Sequence, residues 1–171
     1  MNNIFGLLFV IIFGGAGLLS ILIVINLLSP GPVEETQRGL ETSLGRSFLL
    51  GLINFLWVAV LDVLMIWLAQ LANSLKVISG ILVIVGGLIT LILAVLAFLG
   101  LASLANLLGH RMGGSNNEFG VTLRGGILLL LAGFTPFVGW FAFAPLMVLT
   151  ALGAAIRTVL HGQPRAASKE P

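Results

Sequence analysis

Three polar side chains lie eight residues apart in an otherwise apolar segment: Asn54, Asp62 and Gln70. Eight residues are slightly more than two helical turns, so on an α-helix they fall near one face. An ionised carboxylate in the middle of a membrane span is costly, and such residues usually have a function. The spacing therefore predicts an intramembrane polar site centred on Asp62, which could relay protons or bind a cation.

A structural interpretation of Asp62 stays open beside the functional one. A protonated or hydrogen-bonded carboxyl can fix the packing of two helices or contact a partner subunit. The apolar segments hold no Lys, Arg or His near their middle that would pair with Asp62. Asn54 and Gln70 each lie about two helical turns away, too far to share one ion with Asp62 unaided.

Residue types argue against other kinds of site. There are no cysteines, and the two histidines, His110 and His161, lie at the ends of apolar segments rather than inside a span, where a haem or pigment would need them. The sequence shows no cluster of zinc ligands and no serine with a nearby base, and Gly113-Gly114-Ser115 lacks the ending of a phosphate-binding loop. The net charge of +2 comes from scattered groups without a basic stripe. We expect no enzyme activity, cofactor, metal or nucleic-acid partner.

The elements that must position these residues are predicted to be membrane helices. Only 8% of the 171 residues are charged and 58% are hydrophobic, whereas a soluble domain carries about 25% charged residues. Apolar runs cover residues 4–28, 47–71 and 77–108, and each is long enough for the roughly 20 residues that cross a bilayer. The sequence thus predicts an all-α polytopic membrane protein, with one integral membrane domain over 1–160 and a polar tail over 161–171.

A polar stretch, 33–46, separates the first two spans. Pro32 suits the first position of a helix, Glu34 suits its positive N-terminal end, and Val33 and Leu40 recur at helical spacing. This pattern predicts a short amphipathic helix lying on the membrane surface. Two glycines within the stretch leave a plain polar loop as the alternative.

The apolar stretch 122–160 decides the orientation of the chain. If it crosses once, the Lys and Arg residues divide four and four between the two sides of the membrane. If it enters and returns on one side, seven lie together and Lys76 alone lies on the other. The positive-inside rule favours the second arrangement, with the N-terminus outside and the C-terminus cytoplasmic. The seven are Arg38, Arg46, Arg111, Arg124, Arg157, Arg165 and Lys169.

The middle of this stretch is also unsuited to a straight helix. Thr135-Pro136 and Gly139 act as breakers, which leaves short helical segments on either side. We therefore expect three spans followed by a broken helical hairpin; a fourth, kinked span is the alternative. Five aromatic residues cluster at the predicted tip, where we expect tight packing. They are Phe134, Phe137, Trp140, Phe141 and Phe143.

Four arginines flank apolar segments: Arg46, Arg111, Arg124 and Arg157. We expect them to anchor helix ends at lipid headgroups. The alternative is a shared site for an anionic lipid or an acidic partner on the cytoplasmic face.

Three stretches together carry a family resemblance: ETSLGRSFLLGLIN at 41–54, the polar connector 109–120, and GFTPFVGW at 133–140 before LGAAI at 152–156. The chain resembles, over about 33–160, the multi-pass membrane region of uncharacterised bacterial proteins, some of which are similar to bactofilin-type polymer-forming proteins with an additional β-helical part. The resemblance implies a bacterial inner-membrane location and brings no catalytic residue to this chain.

Two functions remain as hypotheses. The first is a non-catalytic membrane scaffold or accessory subunit that packs against other membrane subunits or against itself, since polar intramembrane groups are few and small residues line helix faces. The alternative is a small transporter or channel that uses Asp62 and the broken hairpin, because discontinuous helices near a membrane carboxylate are typical of transporters.

Overall fold

The computed structural model describes residues 2–72, 75–113, 117–135 and 137–161, and within these ranges the chain is helical and contains no strand. The all-α prediction is therefore confirmed. The predicted tail beyond residue 161, Pro136, and positions 114–116 of the glycine-rich connector lie outside the described residues. The helices are α1 (Asn2–Leu28), α2 (Pro30–Thr42), α3 (Leu44–Leu71), α4 (Lys76–Met112), α5 (Glu118–Phe134) and α6 (Ala144–His161), with a π-helical turn at Gly139–Phe143 directly before α6.

Four stretches are long and apolar enough to cross a membrane. They lie in α1, in α3, in α4, and in the π-helical turn together with α6. Large apolar side chains cover the outer faces of these helices, as expected of surfaces that face lipid. The stretches are Ile11–Leu28, Leu44–Leu71, Lys76–Met112 and Gly139–Leu160.

The ends of the helices follow local chain chemistry. Pro30 and Pro32 fall in the first turn of α2, where a missing backbone N–H costs nothing. Asn117 caps α5 by accepting a hydrogen bond from the Phe119 N–H at 3.3 Å. Gly113 ends α4 with φ of 69°, a left-handed conformation that glycine adopts without a steric penalty.

The bundle has two distinct ends. At one of them, which we call the α2 end, α1, α4 and α6 finish and α3 and α5 begin. The side chain of Asn26 in α1 bonds to Thr122 in α5, and Arg157 in α6 bonds to Ser43 at the start of α3. The start of α4 at Lys76 lies at the opposite end. Both α5 and α6 therefore reach the α2 end, and the turn between them points away from it.

Helix α2 is amphipathic as predicted, but its apolar face is occupied by protein. Val33 and Leu40 are fully buried against α4 and α6, and Thr36 donates a hydrogen bond to the Thr158 hydroxyl of α6 at 3.0 Å. The predicted boundaries also shift, because α2 ends at Thr42 and residues 44–46 begin α3. Helix α2 thus lies as a wedge between the other helices at one end of the bundle. Its apolar face, which we expected to enter lipid, packs against protein.

Two glycines allow α3 and α6 to cross in backbone contact. A Cβ atom on Gly153 would overlap the carbonyl oxygen of Ser47, and one on Gly51 would overlap the carbonyl oxygen of Leu149. Each glycine therefore fits against the opposite backbone, as in small-residue contacts between membrane helices. Helix α6 therefore contacts α3 more extensively than it contacts any other described helix. Every residue of α6 from Thr150 to Ile156 is buried.

Helix α4 makes the same kind of contact with two more helices. Gly109 lies against the backbone of Val121 in α5, Gly125 of α5 lies against Ala105, and Gly100 lies against Ala151 in α6. The second half of α4 is therefore the centre of the bundle, while its first half packs mainly on α3.

The hairpin tip differs from the prediction. The expectation of tight aromatic packing there is wrong, because Phe137 and Phe141 are each 81% exposed and Trp140 is 66% exposed. Phe137 also has a left-handed φ of 62°, which is unfavourable for a residue with a side chain. Lipid can accept these rings without a protein partner.

Candidate functional site

Asp62 lies where α3 meets the first half of α4. The Thr90 hydroxyl of α4 donates a hydrogen bond to Asp62 Oδ2 at 2.5 Å. Gly86, one turn before Thr90, leaves room for the carboxyl group, because a Cβ there would lie 3.3 Å from Asp62 Oδ1. The carboxylate therefore links α3 to α4, and Gly86 lets the two helices lie close together at this level.

The second oxygen of Asp62, Oδ1, is buried and has no hydrogen-bond partner among the described residues. A buried acceptor without a partner is unfavourable, and a bound cation or water molecule would relieve the cost. Asp62 does not line any of four cavities that lie between the described helices. The carboxyl group holds two helices together through its bond to Thr90.

The other two residues of the predicted intramembrane site do not join Asp62. The Asn54 side chain donates to the Leu50 carbonyl of its own helix at 2.8 Å. Gln70 is exposed and lines shallow grooves near the far end of α3 and α4. The structure instead brings Asp62 together with Thr90 of α4, a contact that the sequence did not predict.

A second polar cluster was missed from the sequence. Asn26 of α1, Asn106 of α4 and Thr122 of α5 form a closed ring of hydrogen bonds, which we call the polar ring. Asn106 Nδ2 donates to Asn26 Oδ1 at 2.8 Å, and Asn26 Nδ2 donates to Thr122 Oγ1 at 2.8 Å. The Thr122 hydroxyl closes the ring by donating to Asn106 Oδ1 at 2.5 Å. All three side chains are more than nine-tenths buried.

The polar ring fastens three helices at one level. Each amide both donates and accepts within the ring, so the chain of bonds runs in one direction and its members polarise one another. Without these bonds, the three side chains would be buried in an apolar core with unpaired donors and acceptors, which is unfavourable. The sequence signal was weak, since the three residues lie at 26, 106 and 122, each near the end of an apolar run where polar residues are common.

A small recess opens below the polar ring at the α2 end, which we call the polar recess. Its volume is about 150 Å³, which is enough to hold water, since one water molecule needs only about 10–15 Å³ of such space. Two carboxylates, Glu34 and Glu118, line it with His110 and with the ring amides Asn26 and Asn106. The described residues hold no group of three or more His, Cys, Asp or Glu side chains placed to bind a metal ion. The recess can take water or a hydrated monovalent cation.

A larger cavity of about 390 Å³, which we call the apolar cavity, lies on the other side of the polar ring. Helices α1, α4, α5 and α6 and the π-helical turn surround it. Its wall is mainly leucine, with Phe134 and Trp140 at the hairpin tip. Leu22 and Leu18 of α1 lie about one and two turns before Asn26 on the same face, so both cavities lie along the same side of α1.

The four arginines predicted as anchors all lie at the α2 end, and two of them make bonds within the protein. Arg157 Nη1 donates to Ser43 Oγ at 2.5 Å and is half-buried, which ties α6 to the start of α3. Arg124 Nη1 donates to the Gly113 carbonyl at 3.0 Å across the connector. Arg46 and Arg111 are exposed.

Neither a family model, nor a curated protein, nor a solved structure matches this chain.

Proposed function

We propose that this chain is a non-catalytic structural component of a membrane, which assembles with other membrane proteins or with copies of itself. The hydrogen bond between Thr90 and Asp62 carries the proposal. The one carboxylate inside a predicted span is used to join α3 to α4, and it lines none of the described cavities. An intramembrane carboxylate with that role favours a packing function over ion transport.

The outer surface of the bundle supports an assembly role. The first halves of α1 and α4 and the second half of α3 pack on few neighbours and expose large apolar side chains. A chain that functioned alone would need only lipid on these faces, whereas an accessory subunit would cover part of them with other helices. Small exposed positions on the α1 face, Gly14 and Gly17, would let a helix approach closely.

The orientation we propose has the N-terminus outside and the α2 end in the cytoplasm. Among the described residues, the cations at the α2 end outnumber those at the opposite end, where Lys76 lies. Cytoplasmic ends of membrane proteins carry such an excess of Lys and Arg. The bacterial inner membrane, implied by the resemblance to bacterial membrane regions, remains our proposal for its location. The α2-end cations are Arg38, Arg46, Arg111, Arg124 and Arg157.

In this orientation α5 and α6 form a re-entrant hairpin. Thr122 of α5 lies beside Asn26 of α1, while Phe134 at the end of α5 lies beside Gly15. Eleven residues of α1 separate these two levels, about 17 Å of helix rise. The hydrocarbon core is about 30 Å thick, so α5 alone is too short to cross it. The register of α1 and α5 thus supports a return to the cytoplasmic face.

A second candidate function, a small transporter, is supported by a different observation. Asp62 Oδ1 is buried without a partner among the described residues, and a bound cation could occupy that position. Proteoliposomes containing the wild-type chain or an Asp62→Asn variant separate the two functions. The structural role predicts no proton or alkali-cation flux above that of empty liposomes for either protein. A flux that Asp62→Asn abolishes would contradict it and support transport.

A further inference from the structure

We propose that the apolar cavity binds one acyl chain of a bilayer lipid, which enters from the side between α1 and α6. The cavity has a volume of about 390 Å³ and lies among leucine side chains. Trp140 and Val148 on its wall are also exposed at the outer surface, so the cavity is open to the surroundings of the protein. This site is independent of the proposed assembly role.

The cavity exists because α2 holds α1 and α6 apart. Val33 of α2 is fully buried in the core beside Leu22 of α1 and Ala102 of α4, so α2 fills the gap at the α2 end. Farther along, α2 is no longer present, and the cavity wall includes two small residues, Gly133 and Ala144. Larger side chains at these two positions would fill the apolar cavity, which lies beyond the end of α2.

The size of the cavity decides between a lipid chain and a protein helix. The cavity is short, because its lining covers one turn of α1, from Leu18 to Leu22, and about one turn of α6, from Ala144 to Val148. A transmembrane helix of about five turns would extend far beyond it. A flexible hydrocarbon chain can enter such a space by its end and match its irregular shape.

The position of the cavity decides between a lipid chain and water. Leu22 and Leu18 lie inside the apolar stretch Ile11–Leu28, about one and two turns from the polar ring at Asn26. A cavity lined by leucine, phenylalanine and methionine offers water few partners, and apolar cavities stay dry. At this depth a bilayer presents acyl chains at the cavity entrance. A chain that fills the space makes the dispersion contacts that the lining of an empty cavity lacks.

Native mass spectrometry of the full chain in a mild detergent, with phosphatidylglycerol or phosphatidylethanolamine of one acyl composition, tests the proposal. The critical variant is Gly133→Leu, because nothing lies within 4 Å of a Cβ at this position and the new side chain would occupy the cavity. Its matched control is Gly87→Leu on the outer face of α4, where a Cβ also meets nothing within 4 Å. We expect wild type and Gly87→Leu to retain one lipid of either headgroup, and Gly133→Leu to retain at least about tenfold less.

Three results would overturn the proposal. They are a wild-type chain that carries no lipid, a Gly133→Leu chain that retains lipid as well as its control, and a Gly133→Leu chain that instead loses a second protein subunit. Ala144→Leu fills the cavity from the opposite wall and replaces Gly133→Leu if that variant does not fold.

A fluorescence experiment tests the same site. A Trp57→Phe, Trp67→Phe background leaves Trp140 as the only tryptophan. One equivalent of lipid with brominated chains should quench its fluorescence, and Gly133→Leu should remove the quenching.

Discussion

The Asn106 side-chain amide donates a hydrogen bond of 2.8 Å to the amide oxygen of Asn26, which lies 80 positions earlier in the chain. The two residues come from α4 and α1, and Thr122 of α5 completes the ring between them. This contact fixes the level at which three helices meet. The polar recess lies on one side of that level and the apolar cavity on the other.

Removal of one member of the polar ring should destabilise the bundle. Asn106→Ala deletes a donor to Asn26 and an acceptor for Thr122, and both remaining groups stay buried. We expect a loss of about 1–2 kcal/mol in the free energy of unfolding in detergent. Asn54→Ala is the matched control, because the Asn54 amide bonds only to its own helix. Equal losses in the two variants would show that the ring contributes nothing specific.

The Asp62–Thr90 bond should depend on an acceptor and not on a charge. Asp62→Asn keeps an oxygen that can accept from the Thr90 hydroxyl, so we expect its stability to stay within about 0.5 kcal/mol of wild type. Thr90→Val removes the donor at nearly constant volume and should cost about 1 kcal/mol. Thermal unfolding followed by circular dichroism measures both. A larger loss for Asp62→Asn than for Thr90→Val would mean that the carboxylate has another partner.

The crossing of α3 and α6 should not tolerate a methyl group. Gly153→Ala would place a Cβ atom on the Ser47 carbonyl oxygen, so the two helices must separate. We expect a loss of about 1–3 kcal/mol in unfolding free energy or a failure to fold. Gly87→Ala, where a Cβ meets nothing, should be neutral or stabilise by up to about 1 kcal/mol. A Gly153→Ala protein as stable as the Gly87→Ala protein would contradict the close crossing.

The proposed orientation can be tested with single cysteines, because the chain has none of its own. A membrane-impermeant maleimide applied to intact cells should label Lys76→Cys at the outer end. Glu41→Cys in α2 and Ser168→Cys in the tail outside the described residues should react only after the membrane is opened. Labelling of Ser168→Cys in intact cells would show that 122–160 crosses once and would rule out the hairpin in our orientation.

Composition and the length of apolar runs were enough to predict membrane helices, because helix formation in lipid depends on satisfying the backbone within each segment. The charge count and the breakers near Gly139 led to the hairpin hypothesis. Sequence could not predict which polar residues meet. Asn26, Asn106 and Thr122 come together through helix register, which the glycines at 109 and 125 fix by close packing. The exposed tip was missed because aromatic residues suit both lipid and protein surroundings.

The equal spacing of Asn54, Asp62 and Gln70 was also misleading about the site. A period of eight keeps the three on roughly one side of α3, but a helix face meets different neighbours along its length. Of the three residues, Asp62 is the one that lies beside Thr90 and Gly86 of α4. The useful signal was therefore on the other helix, where a threonine follows a glycine by one turn.

The mass of the assembly that contains this chain in its native membrane tests the structural role most directly. The tagged full-length chain would be extracted in a lipid-preserving polymer and measured by native mass spectrometry. Our account predicts a defined particle heavier than one 18.0 kDa chain with its lipids, with a fixed ratio of subunits that Asp62→Asn leaves unchanged. A single chain that carries only lipid would contradict the account.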